Sequence, residues 1–495
     1  MVEAKVAVPE GPFVLALDQG TTNTKALLVD ASTHAIVASG AHRVDISYPA
    51  AGWVEQNADD IWNSVLGAVA ECLADHQGVP IMAISISNQR ESVAIWDAAT
   101  GAALGPVLGW QDARTSAVCA GLSAHAPQVA KHTGLGLDAM FSAPKMRWLL
   151  DNVDSAQPAR FGTIDTFLVS RLTGEYLAEA GNASRTMLFD LDSLDWNGEL
   201  AEIFGVPVGG LAPIARSDAG FGVTRGEGAI PAGIPVVSVM ADSHAALYLH
   251  SRGRLGEGKA TYGTGSSVMV NSPRVGTEAT GIATTLAWLV ESPSYAKEGN
   301  VLASGAALAW AAELLTQGDV AALGALASET TASAVSLVPA FSGLGAPYFD
   351  RDAVGVLTGL TGATTGAQIA RAAFEAVAHQ VADVVEAIEN DGVTEIAGLS
   401  ADGGATASPL LMQLQADLLG KPLRVSDVPE ASALGAALLA MHAEGVAEHA
   451  SSNRYSTRTI APEMSDERRR EARHQWRLAV ARSRGQSVSD WKEQG

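Results

Sequence analysis

The run Phe13-Val-Leu-Ala-Leu-Asp-Gln-Gly-Thr-Thr-Asn-Thr-Lys-Ala-Leu-Leu-Val-Asp30 decides how this chain is read. Residues 13–17 form an apolar strand, 18–24 a turn, and 26–29 a returning strand. The turn leads into a strand, not a helix, and no GxxxxGKS or GxxxxGKT is present, so it is not a P-loop. Gly20 allows the backbone to approach an anion closely. The turn N–H groups and the Thr21 and Thr22 hydroxyls can then bond phosphate oxygens, with Lys25 close behind. Asp18, at the strand end, is placed to hold a hydrated Mg2+. Taken alone, the run reads equally well as a plain Asp/Gly hairpin.

Outward from it, Asn57 is positioned to cap a helix running to about residue 76, with Ile61, Val65, Leu66, Val69 and Leu73 at helical spacing. Residues 81–87 alternate as a strand that delivers Asn88-Gln-Arg-Glu91. Further strands are expected at 93–96 and 107–110, the second delivering Trp110-Gln-Asp112. The strand 235–240 leads into Ala241-Asp242-Ser243-His244. Residues 259–271 hold a second hairpin around Tyr262-Gly-Thr-Gly265-Ser266. Residues 368–390 form an amphipathic helix, and 395–400 a strand ending in Asp402-Gly-Gly-Ala405, whose glycines permit contact with a flat ligand such as adenosine. Helices follow at 408–419 and at 432–441, the latter small enough in side chain to pack closely on a sheet. From 465 a surface helix is expected, with Trp476, Leu478 and Val480 as its apolar edge, then a loose end.

A chain of 495 residues calls for two domains, with a boundary in the polar, glycine-rich stretch near 248–258, giving 1–250 and 251–495. Lys and Arg number 32 against 54 Asp and Glu, a net charge of -22. Such a surface disfavours nucleic acid and anionic membranes as partners, and a high-solubility or halophilic surface is the plainer reading of the same charge. A nucleotide site would need local compensation by N–H groups, lysine and a divalent cation. Cys72 and Cys119 have no zinc-ligand spacing, and Cys72 falls on the apolar side of its helix. Residues 1–11 lack the basic and apolar regions of a leader, and no stretch reaches about 18 apolar residues. A soluble, cytoplasmic protein is expected.

The motifs in order resemble the FGGY carbohydrate kinase family, and glycerol kinase most of all. They are Leu17-Asp-Gln-Gly-Thr-Thr22, Asn88-Gln-Arg-Glu91, Trp110-Gln-Asp112 with Arg114-Thr115, and Met140-Phe-Ser-Ala-Pro-Lys-Met-Arg-Trp148. Then come Gly162-Thr-Ile-Asp-Thr166, Asn182-Ala-Ser-Arg-Thr-Met187, Tyr262-Gly-Thr-Gly265, Pro339-Ala-Phe-Ser-Gly-Leu-Gly-Ala-Pro-Tyr348 and Asp402-Gly-Gly-Ala405. The resemblance runs from about residue 13 to about residue 445. It implies an α/β fold of two actin-like (ribonuclease H-like) domains flanking an ATP and substrate cleft. Closure of that cleft would keep water from the transferring phosphoryl group. The first domain would carry the substrate site, a phosphate hairpin and the catalytic Asp, and the second the nucleotide site.

The same resemblance implies ATP with Mg2+ and a polyol or sugar acceptor. Asp242 matches the family's catalytic base, which a weakly nucleophilic hydroxyl requires; by itself such an Asp also reads as a helix N-cap. Asp18 matches the Mg2+-side carboxylate. Thr21, Thr22, Asn23, Lys25, Thr264 and Gly265 match phosphate-side positions, and Gly305, Gly404 and Ser408 the adenosine side. Ser408 stands where glycerol kinase has asparagine, and Ala309 where it has glutamine. Arg90 and Glu91 match residues that bond acceptor hydroxyls, one donating and one accepting; their plainer reading is a surface ion pair. Trp110 matches the aromatic residue along the acceptor's carbon edge.

Three acceptor-side positions depart from glycerol kinase: Met140 replaces tyrosine, Ser243 glutamine and Ser267 phenylalanine. The expected acceptor is therefore a linear polyol or ketose of about four or five carbons, with glycerol second. The stretch Glu227-Gly-Ala-Ile-Pro-Ala-Gly-Ile234 lacks the arginine-bearing loop by which some bacterial glycerol kinases bind fructose 1,6-bisphosphate, so that inhibition is not expected. Rival readings are an actin- or Hsp70-like ATPase and a catalytically decayed sugar-binding regulator; a homodimer is left open.

Overall fold

A computed structural model describes residues 11–154, 158–274, 281–331, 334–446 and 457–486. The opening hairpin is β1 (Phe13–Gln19) and β2 (Asn23–Asp30), antiparallel, its turn closed by Gly20 N–H donating to Asn23 O at 2.9 Å. β3 (Ile36–Arg43) continues antiparallel beside β2. On the other side of β1, β4 (Ile81–Asn88) and then β5 (Val236–Ala241) pair in parallel, for the order β5-β4-β1-β2-β3. The register sets Asp18 opposite Ser87, Gln19 opposite Asn88, and Asn88 opposite Ala241. Three parallel strands therefore end level, and the residues following them share one sheet edge.

The apolar residues of β1, β2 and β4 pack with helix Ala58–Cys72, through Leu15, Leu28, Ile84, Ile61, Trp62 and Val65. Asn57 caps that helix, accepting from Asp59 N at 2.8 Å. The helix stops at Cys72, short of the expected 76, because Leu73 N–H makes the last bond to Val69 and the chain then tightens, with Ala74 N–H donating to Glu71 O. The Cys72 thiol lies in the core, where burial pushes it up to about 11. The strand expected over 107–110 is only Val107–Leu108, since the Trp110 N–H turns away to donate to Ser92 Oγ at 3.0 Å.

The chain divides into two compact units: Met1–Arg252, Thr284–Ala296 and Glu430–Arg454, and then Gly253–Ala283, Lys297–Pro429 and Tyr455–Gly495. A single cut at 250/251 does not express this, because helix Ala431–Ala443 belongs to the first unit. Its small residues are the reason. Gly435 lies so close to helix Asp242–Ser251 that a Cβ there would sit 1.8 Å from Ala245 O, and Ala436 O accepts from Ser238 Oγ at 2.9 Å.

In the second unit β6 (Glu257–Tyr262) and β7 (Ser266–Ser272) form the other hairpin, and β8 (Pro293–Val301), of which residues 297–301 belong to this unit, lies beside β7. β9 (Gly398–Asp402) is parallel to β6, β10 (Leu423–Ser426) parallel to β9, and β11 (Thr457–Ile460) closes the row antiparallel to β10. The order β10-β9-β6-β7-β8 repeats that of the first sheet. β9 starts at 398 rather than 395 because Ala397 N–H still bonds the Gly256 carbonyl, and the ladder to β6 begins one residue later.

Helix Gly366–Glu389, opened by a capping box between Thr365 and Gln368, lays Phe374, Val377, Val381 and Val384 into the core. Helix Asp466–Ser483 is more than a surface helix with an apolar edge. Arg473 is buried against Asp383 (2.5 Å) and Glu386, and Trp476 Nε1 donates to Asp383 at 2.7 Å. The leader reading of residues 1–10 and the loose end beyond 486 lie outside the described residues. No described helix is long and apolar enough to cross a membrane.

Candidate functional site

The level strand ends of the first unit deliver the chemistry. Asp242 follows β5 as the first residue of helix Asp242–Ser251, whose N-cap is Ala241, so the N-cap reading of Asp242 does not hold. Asp242 Oδ1 accepts the Ser243 N–H at 2.5 Å and lies 3.5 Å from Arg90 Nε. Arg90 Nε is in turn 3.8 Å from Glu91 Oε1. Their side chains are 9% and 5% exposed, which removes the surface ion-pair reading of Arg90 and Glu91. The Asp242 side chain is 34% exposed and stays open to an acceptor.

Asp18 is placed beside these groups by the register of β1 and β4, and Ser87 Oγ donates to it. Burial, with Asp242 and Glu430 adding to it against Ser87 and Lys25, pushes its carboxyl up to about 7. Concentrated negative charge of this kind favours a divalent cation. Mg2+ is commonly held by one or two carboxylates with substrate phosphates supplying further oxygens, and Asp18 suits that use. Among the described residues no group of three His, Cys, Asp or Glu forms a protein-only metal cage.

The hairpin tip is tied to the aromatic residue of the site: Trp110 Nε1 donates to Thr21 Oγ1 at 3.1 Å. Trp110 is 36% exposed. Thr22 and Asn23 are exposed at the tip, where Asn23 Nδ2 donates to Thr22 Oγ1 at 3.2 Å. Lys25 is engaged elsewhere, in an ion pair with Glu430 at 2.8 Å, a partner that lies 405 residues away in sequence. Met140 is held by its backbone, its N–H on Asp138 Oδ1 at 2.8 Å and its carbonyl accepting from Lys145.

In the second unit, Gly263 and Thr264 at the hairpin turn receive the first N–H groups of helix Gly305–Thr316. Gly305 N–H donates to Gly263 O at 3.0 Å, and Ser304 and Ala306 N–H to Thr264 O at 2.9 and 3.0 Å. Gly265 has no room for a side chain, its Cβ falling 2.4 Å from Val301 O. After β9, Gly403 has φ +93° and sits against Tyr262, whereas a Cβ on Gly404 would meet nothing within 4 Å, so that face is open to a ligand. Ser408 has a structural duty as the N-cap of helix Pro409–Leu419, accepting from Leu411 N at 3.3 Å. Ser267 Oγ donates to Glu298 Oε1 at 3.4 Å.

With this geometry in view, residues 13–248 match the N-terminal domain of the FGGY family of carbohydrate kinases, and residues 258–444 its C-terminal domain. The chain belongs to the FGGY family of carbohydrate kinases. It is 41% identical over 491 residues to the apulose kinase of Pectobacterium atrosepticum, covering 96% of this chain and 98% of that one. It is 37% identical over 504 residues to the glycerol kinase of Deinococcus radiodurans, covering 98% and 99%. The crystal structure of Plasmodium falciparum glycerol kinase with ADP superposes with a TM-score of 0.89 at 30% identity, covering 96% of this chain and 98% of that chain.

This FGGY kinase is thus an ATP-dependent carbohydrate kinase that uses Mg2+ and takes a small sugar or polyol as acceptor, and its two sheets are the actin-like units of that fold. Sequence reading missed Glu430 as the partner of Lys25, and it quoted Arg185 and Lys145 within motifs without a role. Their one local signal was a cation inside an otherwise apolar or small-residue stretch.

Proposed function

We propose that this kinase transfers the γ-phosphoryl group of ATP to a hydroxyl of a linear polyol or ketose of about four or five carbons, with Asp242 as general base. The observation that carries the reading is Asp242 after the end of β5, partly open to solvent and 3.5 Å from Arg90 of the buried Arg90–Glu91 pair. Arg90 donates to the acceptor's oxygens and Glu91 accepts from a neighbouring hydroxyl, fixing two adjacent hydroxyls. Asp242 takes the proton of the attacking hydroxyl as its oxygen bonds phosphorus and the ADP oxygen departs. Thr21, Thr22 and Asn23 bind phosphate oxygens through the hairpin tip, and Thr264 and Gly265 act likewise in the second unit. Gly305, Gly404 and Ser408 form the adenosine side, Ser408 through its backbone since its hydroxyl is in use as a cap. Lys25, which pairs with Glu430, turns to phosphate only when that pair opens. Asp18 would hold Mg2+, which when bound would supply charge neutralisation at the transferring group.

The acceptor length follows from Met140, Ser243 and Ser267, which stand in place of tyrosine, glutamine and phenylalanine. The smaller residues leave a three-carbon acceptor without contacts that a longer one makes. The relative named apulose kinase supports a sugar acceptor, whereas the glycerol kinases of similar identity favour glycerol as the second reading.

An ATP-coupled assay across three- to six-carbon polyols and ketoses, with NMR of the product, tests this. We expect a four- or five-carbon compound to give the highest kcat/KM; glycerol as the best acceptor by far would defeat the length argument. Asp242→Asn should lower kcat by about 100-fold or more while acceptor KM stays within about threefold. Full activity in that variant removes Asp242 from the role of base. Fructose 1,6-bisphosphate should leave the rate unchanged.

A further inference from the structure

Glu91 occupies a backbone conformation that side chains avoid. Its φ is +61°, and the Ser92 N–H folds back onto the Arg90 carbonyl at 2.7 Å, a γ-turn of the strained, positive-φ kind. Such a conformation persists where the surroundings over-determine it. Three buried side chains do so here. Arg185 Nε donates to Glu91 Oε1 at 2.7 Å, while Ser142 Oγ and Lys145 Nζ donate to the Glu91 carbonyl at 3.1 and 3.5 Å. Arg185 itself is 1% exposed and stacked over Phe141, its guanidinium carbon 5.1 Å from the ring centre. Charges then alternate from Arg185 to Glu91 to Arg90 to Asp242, at 2.7, 3.8 and 3.5 Å.

We propose that Arg185 is a positioning residue for acceptor binding, holding the Glu91 carboxylate in one orientation so that it accepts from the acceptor's hydroxyl. The inference rests on the reading of Arg90 and Glu91 as the acceptor-binding pair. Its physical basis is that a short, charge-assisted bond from a buried guanidinium fixes the direction of the carboxylate it touches, and a carboxylate held so presents its free lone pairs to the acceptor's hydroxyl. Lys145 cannot take over, because it is committed to the carbonyls of Glu91 and Met140. Ser142 and Lys145 hold the main chain of the turn, and Arg185 holds the side chain that the turn presents.

The test is steady-state kinetics of wild type, Arg185→Met and Arg185→Lys with the best acceptor of the panel, with KM and kcat read for acceptor and for ATP separately. Arg185→Met is expected to raise acceptor KM by about 30-fold or more and ATP KM by less than about threefold. Arg185→Lys should recover part of the loss, since one ammonium replaces a directional guanidinium bond. The inference is overturned if acceptor KM of Arg185→Met matches wild type, or if acceptor and ATP KM rise equally. Should Arg185→Met not fold, Arg185→Lys is read in its place, and an acceptor KM raised no more than ATP KM overturns the inference alone. A wild type that phosphorylates no sugar or polyol defeats the functional reading and the inference with it. An active wild type matched by Arg185→Met in acceptor KM defeats the inference only.

Discussion

A positive φ on a side chain such as Glu91 costs on the order of 1–3 kcal/mol. A charge-assisted hydrogen bond of the kind it makes with Arg185 contributes on the order of 1.5–3 kcal/mol, so the strain is offset within the site itself. A similar balance lies behind it at Glu179. That carboxylate accepts from Gly181 N and Asn182 N, both at 2.7 Å, and from Ser217 Oγ at 2.5 Å. Burial nevertheless pushes it up to about 7. A carboxyl raised by folding binds its proton more tightly folded than unfolded. Its contribution is therefore fully present below the ordinary carboxylate range and is lost as pH rises through about 7. In chemical denaturation, wild type should lose about 2 kcal/mol relative to Glu179→Gln between about pH 5 and about pH 8. Parallel pH profiles would show that Glu179 does not titrate in that window. None of this is visible locally: Arg185 is plain in Asn182-Ala-Ser-Arg-Thr-Met187, but its partner lies 94 residues away.

At the scale of elements, the two hairpins were legible because each depends on a short turn with glycine between apolar runs, and both formed where expected. The edges of elements were less legible. Helix Ala58–Cys72 and β9 shifted by a few residues where tertiary hydrogen bonds, not periodicity, set the end. Helix Ala431–Ala443 was expected to pack closely, and Gly435 shows how closely. Gly435→Ala places a Cβ 1.8 Å from a backbone oxygen of the neighbouring helix, which the backbone cannot absorb without shifting. We expect a loss of about 1–3 kcal/mol in urea unfolding. Gly404→Ala, whose added carbon meets nothing within 4 Å, serves as the control and should stay within about 0.5 kcal/mol of wild type. Equal stability of the two variants would refute the packing argument.

For the whole molecule, the sequence by itself determined the family and the repeated β-hairpin plan, and it nominated the residues proposed for the phosphate, acceptor and base roles. Those signals are local: a glycine turn, an alternating strand, a carboxylate at a strand end. Net charge located nothing, since -22 is a sum and a site is a placement. The tertiary structure alone decided which charges meet. It set Lys25 on Glu430 across 405 residues and Arg185 on Glu91 across 94, and it gave helix Ala431–Ala443 to the first unit. It also turned Ser408 into a helix cap and buried Arg90 and Glu91, which a sequence reads equally well as a surface pair. The physical reason is that propensity and periodicity act over a few residues along the chain. Desolvation and ion pairing act through space, and exist only once the strands have brought their ends level.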